Sequence, residues 1–340
     1  MGKLVCFGEL MMRLNPEGHG RIVQADRLEV SFAGGEANVA VDASQLGMDA
    51  AYVTRLPDQE LGHSAANALR RFGVDTDGIV YGGPRLGIYF VEKGASQRPS
   101  KVIYDRAGSS VAMAQPGDFD WERILEGADW FHFTGITPAL GGCLPRICRE
   151  ACEAAKKRQV TISCDLNYRK KLWSRQEACR VMGELMPFVD VCIANEEDLS
   201  DVFGIHAGDS DIEGGSLDSE GYRKAAQEVA ERFRISHVAV TLRKSLSASR
   251  NLWSGMLYGE GKAYFSREYD MQIVDRVGGG DSFAAGLIYA LHNDYEPQKA
   301  VEFAAAASCL KHTIEHDFNL VSLAEVETLA AGNTSGRVQR

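Results

Sequence analysis

The residues best suited to chemistry stand near residue 280, in the run Asp275-Arg-Val-Gly-Gly-Gly-Asp-Ser-Phe. The glycines of this run, Gly278, Gly279 and Gly280, carry no Cβ, so their N–H groups can turn toward one anion. The apolar spacing that follows predicts a helix, and a helix N-terminus favours negative charge. At this junction, the carboxylate of Asp281 can accept a hydroxyl proton while the amides hold a phosphoryl group. The run predicts phosphoryl transfer, although a loop ending in an Asp cap is an alternative.

Composition and charge exclude several other classes of protein. The 340 residues are 45% hydrophobic and 25% charged, enough for one large domain or two modest ones. A net charge of -10, with acids and bases interspersed, argues against nucleic acid or an anionic membrane as the main partner. No apolar run has the length of a membrane span, the start lacks the form of a signal peptide, and the cysteines contain no Cys-x-x-Cys pair. We therefore expect a cytoplasmic protein with reduced thiols.

In the second half of the chain, strands and helices are predicted to alternate. Beyond residue 128 the apolar periodicity predicts strands at 130–134, 160–165, 190–194 and 237–242, and helices at about 142–157, 175–186, 196–203 and 221–233. This alternation is typical of a mostly parallel sheet with helices on both faces. Ligands of such sheets bind beyond the carboxyl ends of the strands. Asn167, Asn195 and Arg243 follow such ends.

The first half of the chain predicts a second, smaller sheet. Short alternating strands within about 12–33 and 78–110 cannot close a core alone, so we expect them to form a β-sheet lid over the α/β domain. The exposed edge of this lid could pair with a second subunit in a homo-oligomer. We expect residues 1–330 to form a single domain, with a polar acidic insertion at 204–221 and a frayed tail at 331–340.

Two signatures, one near each end of the chain, resemble those of the ribokinase-like (PfkB) family of carbohydrate kinases. They are Gly34-Gly35-x-x-Asn38 and Asp275-x-x-Gly-Gly-Gly-Asp281, in the family's order along the chain. The resemblance implies a ribokinase-like three-layer α/β sandwich with a small β-sheet lid. It also implies that ATP and Mg²⁺ take part in phosphorylating a sugar hydroxyl; a requirement for a monovalent cation is left open.

The same resemblance implies roles for the residues of both signatures. Asp281 would take the proton from the attacking hydroxyl, while the three glycine amides hold the charge on the transferred phosphate. Asp275 would either hydrogen-bond the sugar or fix the loop. The residues that would contact the sugar in the first signature are Gly34, Gly35 and Asn38.

On the nucleotide side, Asn195-Glu-Glu-Asp198 resembles the family's Asn-x-x-Glu motif, which organises Mg²⁺ through water. Asp198 is shorter than glutamate, so Glu197 could assist it; a plain acidic helix start is the alternative. Arg243 replaces the glycine of a Thr-x-Gly string and would bring a guanidinium to the ATP phosphates, or else is a surface charge. The resemblance assigns to ATP the residues Asn195, Thr241, Arg243, Ser308 and Asn319.

Two arginines predict that the substrate is a sugar acid. Tyr104 and Arg106 share a face of one lid strand, and Tyr89 can join them from the neighbouring strand. Arg169 follows the strand that ends at Asp165. A guanidinium binds a carboxylate through two parallel bonds, which a neutral sugar does not need. The arrangement is most similar to family members that phosphorylate the terminal hydroxyl of 2-keto-3-deoxygluconate.

Several alternatives stay open at this point. Arg106 could be a charge on the lid surface, and Arg169 could form an ion pair with Asp165. Fructokinases carry related strings and could share the arrangement. A hypothesis from another class is a regulator that senses a sugar acid without turning it over, although such a protein needs neither a base nor a metal-organising carboxylate.

Overall fold

Alternating strands and helices make up the computed structural model, which describes residues 2–195, 197–207 and 219–333. Its strands are β1 (Lys3–Phe7), β2 (Met11–Asn15), β3 (Glu29–Ala33), β4 (Asp49–Leu56), β5 (Ile79–Tyr81), β6 (Gly87–Glu92), β7 (Lys101–Asp105), β8 (Ala128–Thr134), β9 (Thr161–Asp165), β10 (Val191–Asn195), β11 (His237–Ser245), β12 (Arg250–Gly259), β13 (Lys262–Phe265) and β14 (Tyr269–Gln272). Most of the insertion expected at 204–221, and most of the tail expected at 331–340, lie outside the described residues.

Eleven helices are described, and they alternate with the strands as expected. They are α1 (Gly35–Gln45), α2 (Glu60–Arg70), α3 (Trp121–Ile124), α4 (Ile136–Ala139), α5 (Leu144–Lys157), α6 (Arg175–Leu185), α7 (Asp198–Phe203), α8 (Ser219–Phe233), α9 (Gly279–His292), α10 (Pro297–Lys311) and α11 (Leu323–Ala330). In the described parts of the chain, none of them combines the length and the apolar character that crossing a membrane requires.

Ten strands form the central sheet, in the order β13-β12-β11-β10-β9-β8-β1-β4-β5, with β14 also paired to β12. From β5 to β11 all neighbours are parallel, while β12, β13 and β14 pair antiparallel at one end. The carboxyl ends of the parallel strands therefore meet at one edge of the sheet. The loops that follow β1, β8, β9, β10 and β11 can build a site there.

Helices cover both faces of this sheet. Along β1, Val5 and Phe7 belong to a core that includes residues of α5, α6 and α8, while Leu4 and Cys6 belong to a second core that includes residues of α1, α9 and α10. This division follows from the two-residue period of a strand. The expected three-layer α/β sandwich is confirmed.

The lid is a four-stranded sheet in the order β3-β2-β6-β7. Two differences from the expected structure concern strands of the first half. The segment Ile79–Tyr81 was expected in the lid, but it pairs with β4 at the edge of the central sheet, where Ile79 is buried. β4 itself was not among the predicted strands, because its run of buried residues on both faces gives no alternation.

Candidate active site

The three glycines at the start of α9 differ in what surrounds them. Gly278 has φ +89°, and a Cβ there would lie 2.0 Å from the carbonyl oxygen of Asp317. A Cβ on Gly279 would lie 2.3 Å from the imidazole of His312. At Gly280, which is exposed, a Cβ would meet no atom within 4 Å. The first two glycines thus shape the loop, while the third leaves the N-terminus of α9 open to a bound anion.

Asp281, in the first turn of α9, contacts Asn38 of α1. The Nδ2 of Asn38 donates to the Oδ2 of Asp281 at 2.6 Å, while its Oδ1 accepts from the N–H of Gly34 at 3.3 Å. Burial raises the pKa of Asp281 to about 7, and the bond from Asn38 acts against that rise. A carboxylate that titrates near neutral pH is suited to general base catalysis.

The two glycines of the first signature differ in their surroundings. A Cβ on Gly34 would lie 2.0 Å from the carbonyl oxygen of Glu9, so this glycine permits a close backbone approach. A Cβ on Gly35 would lie 3.5 Å from Thr134 and 3.6 Å from the Oδ1 of Asp281. Gly35 therefore borders the space beside the base. The contacts of both glycines with a sugar stay predictions.

The lid brings Tyr89, Tyr104 and Arg106 together, as their spacing predicts. The rings of Tyr89 and Tyr104 stack with centroids 5.9 Å apart, and the Arg106 guanidinium lies 5.3 Å from the Tyr104 ring centroid. Arg106 is already paired, because its Nε donates to the buried carboxylate of Glu9 at 2.7 Å. The hydroxyl of Tyr89 donates to Asp317 at 2.8 Å. Of this group, Tyr104 is the most exposed.

Arg169 lines the adjoining cleft and forms no ion pair with a described carboxylate. The cleft has a volume of about 1260 Å³, and its lining includes Arg106 and Arg169. One guanidinium nitrogen of Arg169 donates to the carbonyl of Tyr168 at 3.0 Å, and no described carboxylate, Asp165 included, lies within 4.0 Å of the group. Burial raises the pKa of both Asp165 and Asp281, and the charge of Arg169 acts against that rise at each. The alternative considered above, an ion pair between Arg169 and Asp165, is therefore absent from this geometry.

Asp275 fixes the loop from behind. Its Oδ1 accepts from the N–H of Val277 at 3.1 Å, and its Oδ2 pairs with Arg13 at 2.5 Å. Arg13, which is wholly buried on the lid strand β2, also pairs with Asp317 at 2.6 Å. Of the two roles expected of Asp275, this geometry supports fixing of the loop. The sequence analysis missed Arg13 and Asp317; an arginine in the alternating strand β2 was the available signal.

Asn195 and Asp198 form the start of α7. The two carboxylate oxygens of Asp198 accept from the N–H groups of Tyr168 and Asn195, each at 3.1 Å. The Oδ1 of Asn195 accepts in turn from the N–H groups of Glu197 and Asp198. These bonds are those of an acidic helix start, the alternative considered above for Asn195 and Asp198. A role in binding Mg²⁺ or ATP stays a prediction for both residues.

The carboxylates around α7 nevertheless fit a magnesium ion held largely by water. Burial, and then the charge of Asp198, raise the pKa of Asp165, so a cation near this pair would relieve repulsion. Within the described residues, no group of three His, Cys, Asp or Glu side chains could hold a metal ion. Mg²⁺ commonly binds through one or two carboxylates, several waters and substrate phosphates, which agrees with such a sparse set.

Two arginines lie beside the glycine loop. Arg243 is exposed on β11, two residues beyond Thr241, which pairs in register with Asn195. Burial, and then the charge of Arg243, lower the pKa of Arg276, whose NH2 donates to the carbonyl of Ala248 at 3.1 Å. Two neighbouring guanidinium groups attract an anion such as a phosphate. Arg276 was not predicted from the sequence, although its place two residues before Gly278 was a signal.

Ser308 and Asn319 lie in the interior and support α9. The Oγ of Ser308 donates to the carbonyl of Gly279 at 2.6 Å. The Nδ2 of Asn319 donates to the Oγ of Ser282 at 2.6 Å and to the carbonyl of Ala307 at 2.9 Å. Both side chains are buried, and the contact with ATP expected of them stays a prediction. Their contribution in this geometry is to hold the phosphate loop and the first turn of α9.

Known proteins similar to this chain are sugar kinases. A model of the pfkB family carbohydrate kinases matches residues 1–315. The chain is 35% identical to 2-dehydro-3-deoxygalactonokinase of Haloferax volcanii over 98% of each protein, and 30% identical to 2-dehydro-3-deoxygluconokinase of Thermoproteus tenax over 91% of this chain and 88% of that protein. The crystal structure of 2-dehydro-3-deoxygluconokinase from Thermotoga maritima matches with a TM-score of 0.94 and 52% identity, over 97% of this chain and 98% of that one.

Proposed function

Since the chain belongs to the pfkB family of carbohydrate kinases, we propose that it transfers the γ-phosphoryl group of ATP to the terminal hydroxyl of 2-keto-3-deoxygluconate. It would then be a 2-dehydro-3-deoxygluconokinase. One observation carries this proposal: the carboxylate of Asp281 lies at the open N-terminus of α9 and within the electrostatic reach of Arg169, which forms no ion pair with a described residue. The names of the similar proteins described above support the same class of substrate.

In the proposed reaction, Asp281 accepts the proton of the attacking hydroxyl as the hydroxyl oxygen bonds to the γ-phosphorus. The bond from that phosphorus to the β–γ bridging oxygen breaks, and ADP leaves. Asn38 orients the carboxylate, because its amide donates to one oxygen and leaves the other for the hydroxyl. The N–H groups at Gly280 and the first turn of α9 hold the negative charge on the transferred group. A loose phosphoryl transition state depends more on this electrostatic hold than on the strength of the base.

On the nucleotide side, Arg276 and Arg243 are the cations that we assign to the phosphates of ATP. Asn195, the last residue of β10, pairs in register with Thr241 of β11, and both would border the same site. Bound Mg²⁺ would neutralise charge on the phosphates, held through water by Asp198 and Asp165. Arg276 supports this assignment because its Nε has no hydrogen-bond partner within the described chain.

For the acceptor, Arg169 is the group that we assign to the carboxylate of a sugar acid. It forms no ion pair with a described residue, so a bound carboxylate could pair with the guanidinium directly. A second candidate, fructokinase, is favoured by one observation. Because Arg106 already pairs with Glu9, the lid side of the cleft is less positive than two free arginines would make it.

The test is ADP release with ATP and Mg²⁺ across a panel of acceptors: 2-keto-3-deoxygluconate, 2-keto-3-deoxygalactonate, gluconate, fructose and ribose. We expect turnover to be confined to the two keto-deoxy acids, and their ratio will assign the gluconate or the galactonate series. Best turnover on fructose would make the chain a fructokinase. Binding of a keto-deoxy acid in a calorimeter without any ADP release would favour the sensing regulator.

We further propose that the enzyme works in the cytoplasm and can form a homo-oligomer through its lid. All eight cysteines are free, as expected of a reducing compartment. The lid sheet ends at β3 and β7, whose exposed faces carry Val30 and Ile103. Light scattering of the wild type and of a Val30→Asp, Ile103→Asp double variant tests the lid contact. Equal masses for the two proteins would contradict it.

A further inference from the structure

A buried lysine stands behind the phosphate loop, and the reaction above does not use it. Lys311 is the last residue of α10, and no part of it is exposed. Its Nζ lies 3.5 Å from the carbonyl oxygen of Asp275 and 3.3 Å from that of Ile314. No described carboxylate forms a salt bridge with it within 4.0 Å. Lysine is almost never fully buried unless it is paired, so this position calls for a physical reason.

Carboxylates near Lys311 favour its ammonium form without contacting it directly. Burial lowers the pKa of Lys311, while the carboxylates of Asp275, Asp317 and Asp42 act against that fall. The group also lies at the C-terminal end of α10, where the helix dipole favours positive charge. Arg13 adds a second buried positive charge to the same cluster. The ammonium thus sits among carbonyl oxygens and nearby negative charges, as a bound ion does.

The two carbonyls belong to the two chain segments that shape Gly278. Asp275 begins the loop, and Ile314 leads to Asp317, whose carbonyl oxygen would lie 2.0 Å from a Cβ on Gly278. The Cε of Lys311 would lie 3.1 Å from the same position. One ammonium group therefore joins the segments that hold Gly278 at φ +89° and so set the direction of the amides at the start of α9.

We propose that the ammonium of Lys311 is a built-in monovalent cation that positions the phosphate loop, so that turnover needs no added K⁺ or Na⁺. Rings of backbone carbonyls bind K⁺ by replacing its water, and a lysine ammonium is a point charge of similar chemistry. Lys311 is a positioning residue, because it acts through the loop and touches neither substrate. This inference rests on the proposed kinase activity.

The first experiment compares wild-type rates in K⁺, Na⁺ and tetramethylammonium chloride at equal ionic strength. Tetramethylammonium is too large for a carbonyl site, so it controls for screening alone. We expect the three rates to agree within about twofold, since the cation is already present. A tenfold or greater dependence on K⁺ or Na⁺, on the scale of about 1.4 kcal/mol, would overturn the proposal.

The second experiment replaces the side chain of Lys311 in two ways. Lys311→Ala leaves a carbonyl-lined space, whereas Lys311→Met fills it with an uncharged chain. We expect both to lose about 100-fold in kcat through misplacement of the loop, with KM for both substrates changed less. Added NH₄⁺ or K⁺ should restore at least tenfold to the alanine variant only. Full activity of either variant, or no rescue of the alanine variant, would contradict the inference.

A matched control and a measurement of melting temperature keep the outcomes separable. Lys93, a mostly buried lid lysine that pairs with Glu315, can be changed to alanine as well; NH₄⁺ should not affect that variant. If the wild type phosphorylates no sugar on the panel, the proposed function fails. The cation site is then tested by melting temperature alone: K⁺ should raise that of Lys311→Ala and leave the wild type unchanged. Equal effects on both would reject the site.

Discussion

The side-chain amide of Asn38 donates a hydrogen bond of 2.6 Å to Asp281, a residue 243 positions later in the chain. This bond joins the two family signatures into one site, because Asn38 lies on α1 and Asp281 lies in the first turn of α9. The amide favours the ionised carboxylate, which is the form that can accept a proton. The hydrogen bond from Asn38 therefore affects both the orientation of Asp281 and its pKa.

Replacing Asp281 by asparagine should abolish turnover while leaving the fold intact. Loss of a general base costs about 10²- to 10⁴-fold in kcat, whereas ATP affinity should change little. Steady-state ADP release and calorimetric binding of ATP measure the two effects. Asp49→Asn, at the amino end of β4 and hence at the far edge of the sheet, is the matched control. Activity retained in Asp281→Asn would remove Asp281 from its role.

The same substitution should stabilise the protein at alkaline pH. Asp281 has a pKa of about 7 in the folded state, above its value in the unfolded chain. The free energy of unfolding therefore falls as the pH rises between the two pKa values. The variant should therefore gain about 1 to 3 kcal/mol at pH 8, after allowance for partial exposure of Asp281, and nothing near pH 4. Urea unfolding at both pH values measures this. A wild type that is as stable as the variant at pH 8 would contradict the raised pKa.

The activity of the wild type should fall as pH decreases through about 7, because protonated Asp281 cannot act as a base. Below that value kcat/KM should drop about tenfold per pH unit. Asn38→Ala removes a bond that lowers the pKa, so the acid limb should move to higher pH. Asn67→Ala, an exposed change on α2, controls for the substitution. An acid limb that stays in place in Asn38→Ala would show that another group sets it.

The site could be predicted from the sequence only where its residues are close together or belong to a signature. The run around Gly279 and the group Tyr89, Tyr104 and Arg106 came from such spacing, and the structure brings the latter together. The pairing of Arg13 with Asp317 spans 304 residues. No local pattern encodes such a contact, since it depends on how the lid docks on the α/β domain.

The fold, too, could be predicted only where local patterns in the sequence determine it. The parallel sheet was predictable because strands and helices alternate with clear periods after residue 128. The strand β5 was placed in the lid because three apolar residues do not reveal which sheet they join. The hydrogen bond from Ser308 to the carbonyl of Gly279 joins α10 to α9, and spacing alone could not reveal it.

Arg169→Ala should impair the binding of a sugar acid selectively. A charged hydrogen bond is worth about 1.5 to 3 kcal/mol, so KM for 2-keto-3-deoxygluconate should rise about 10- to 150-fold. KM for fructose, if fructose reacts, should change much less because it has no carboxylate. Arg175→Ala removes the same charge at the rim of the cleft, where Arg175 pairs with Asp201, and serves as the control. Equal losses on both sugars would contradict the assignment of Arg169.

Arg106→Ala should affect binding of the sugar acid and stability together. Its partner Glu9 is buried, so the variant leaves an uncompensated carboxylate in the protein. We expect a rise in KM for the sugar acid that exceeds the rise for a neutral ketose, and a loss of about 3 to 5 kcal/mol in the free energy of unfolding. The double variant Glu9→Gln, Arg106→Ala should recover much of that stability. A single variant as stable as the wild type would show that Glu9 does not depend on Arg106.

Arg13→Met should be among the most destabilising single changes in this chain, because it leaves Asp275 and Asp317 as unpaired buried carboxylates. Breaking a buried ion pair from one side costs about 3 to 5 kcal/mol. The comparison is Arg250→Met, which removes an equally short but exposed pair with Asp270 and should cost about 1 kcal/mol or less. Urea unfolding of the three proteins at pH 7 measures both differences. Similar costs for the two variants would mean that the Arg13 cluster is hydrated rather than sealed beneath the lid, and the lid would then not fix the phosphate loop through Asp275.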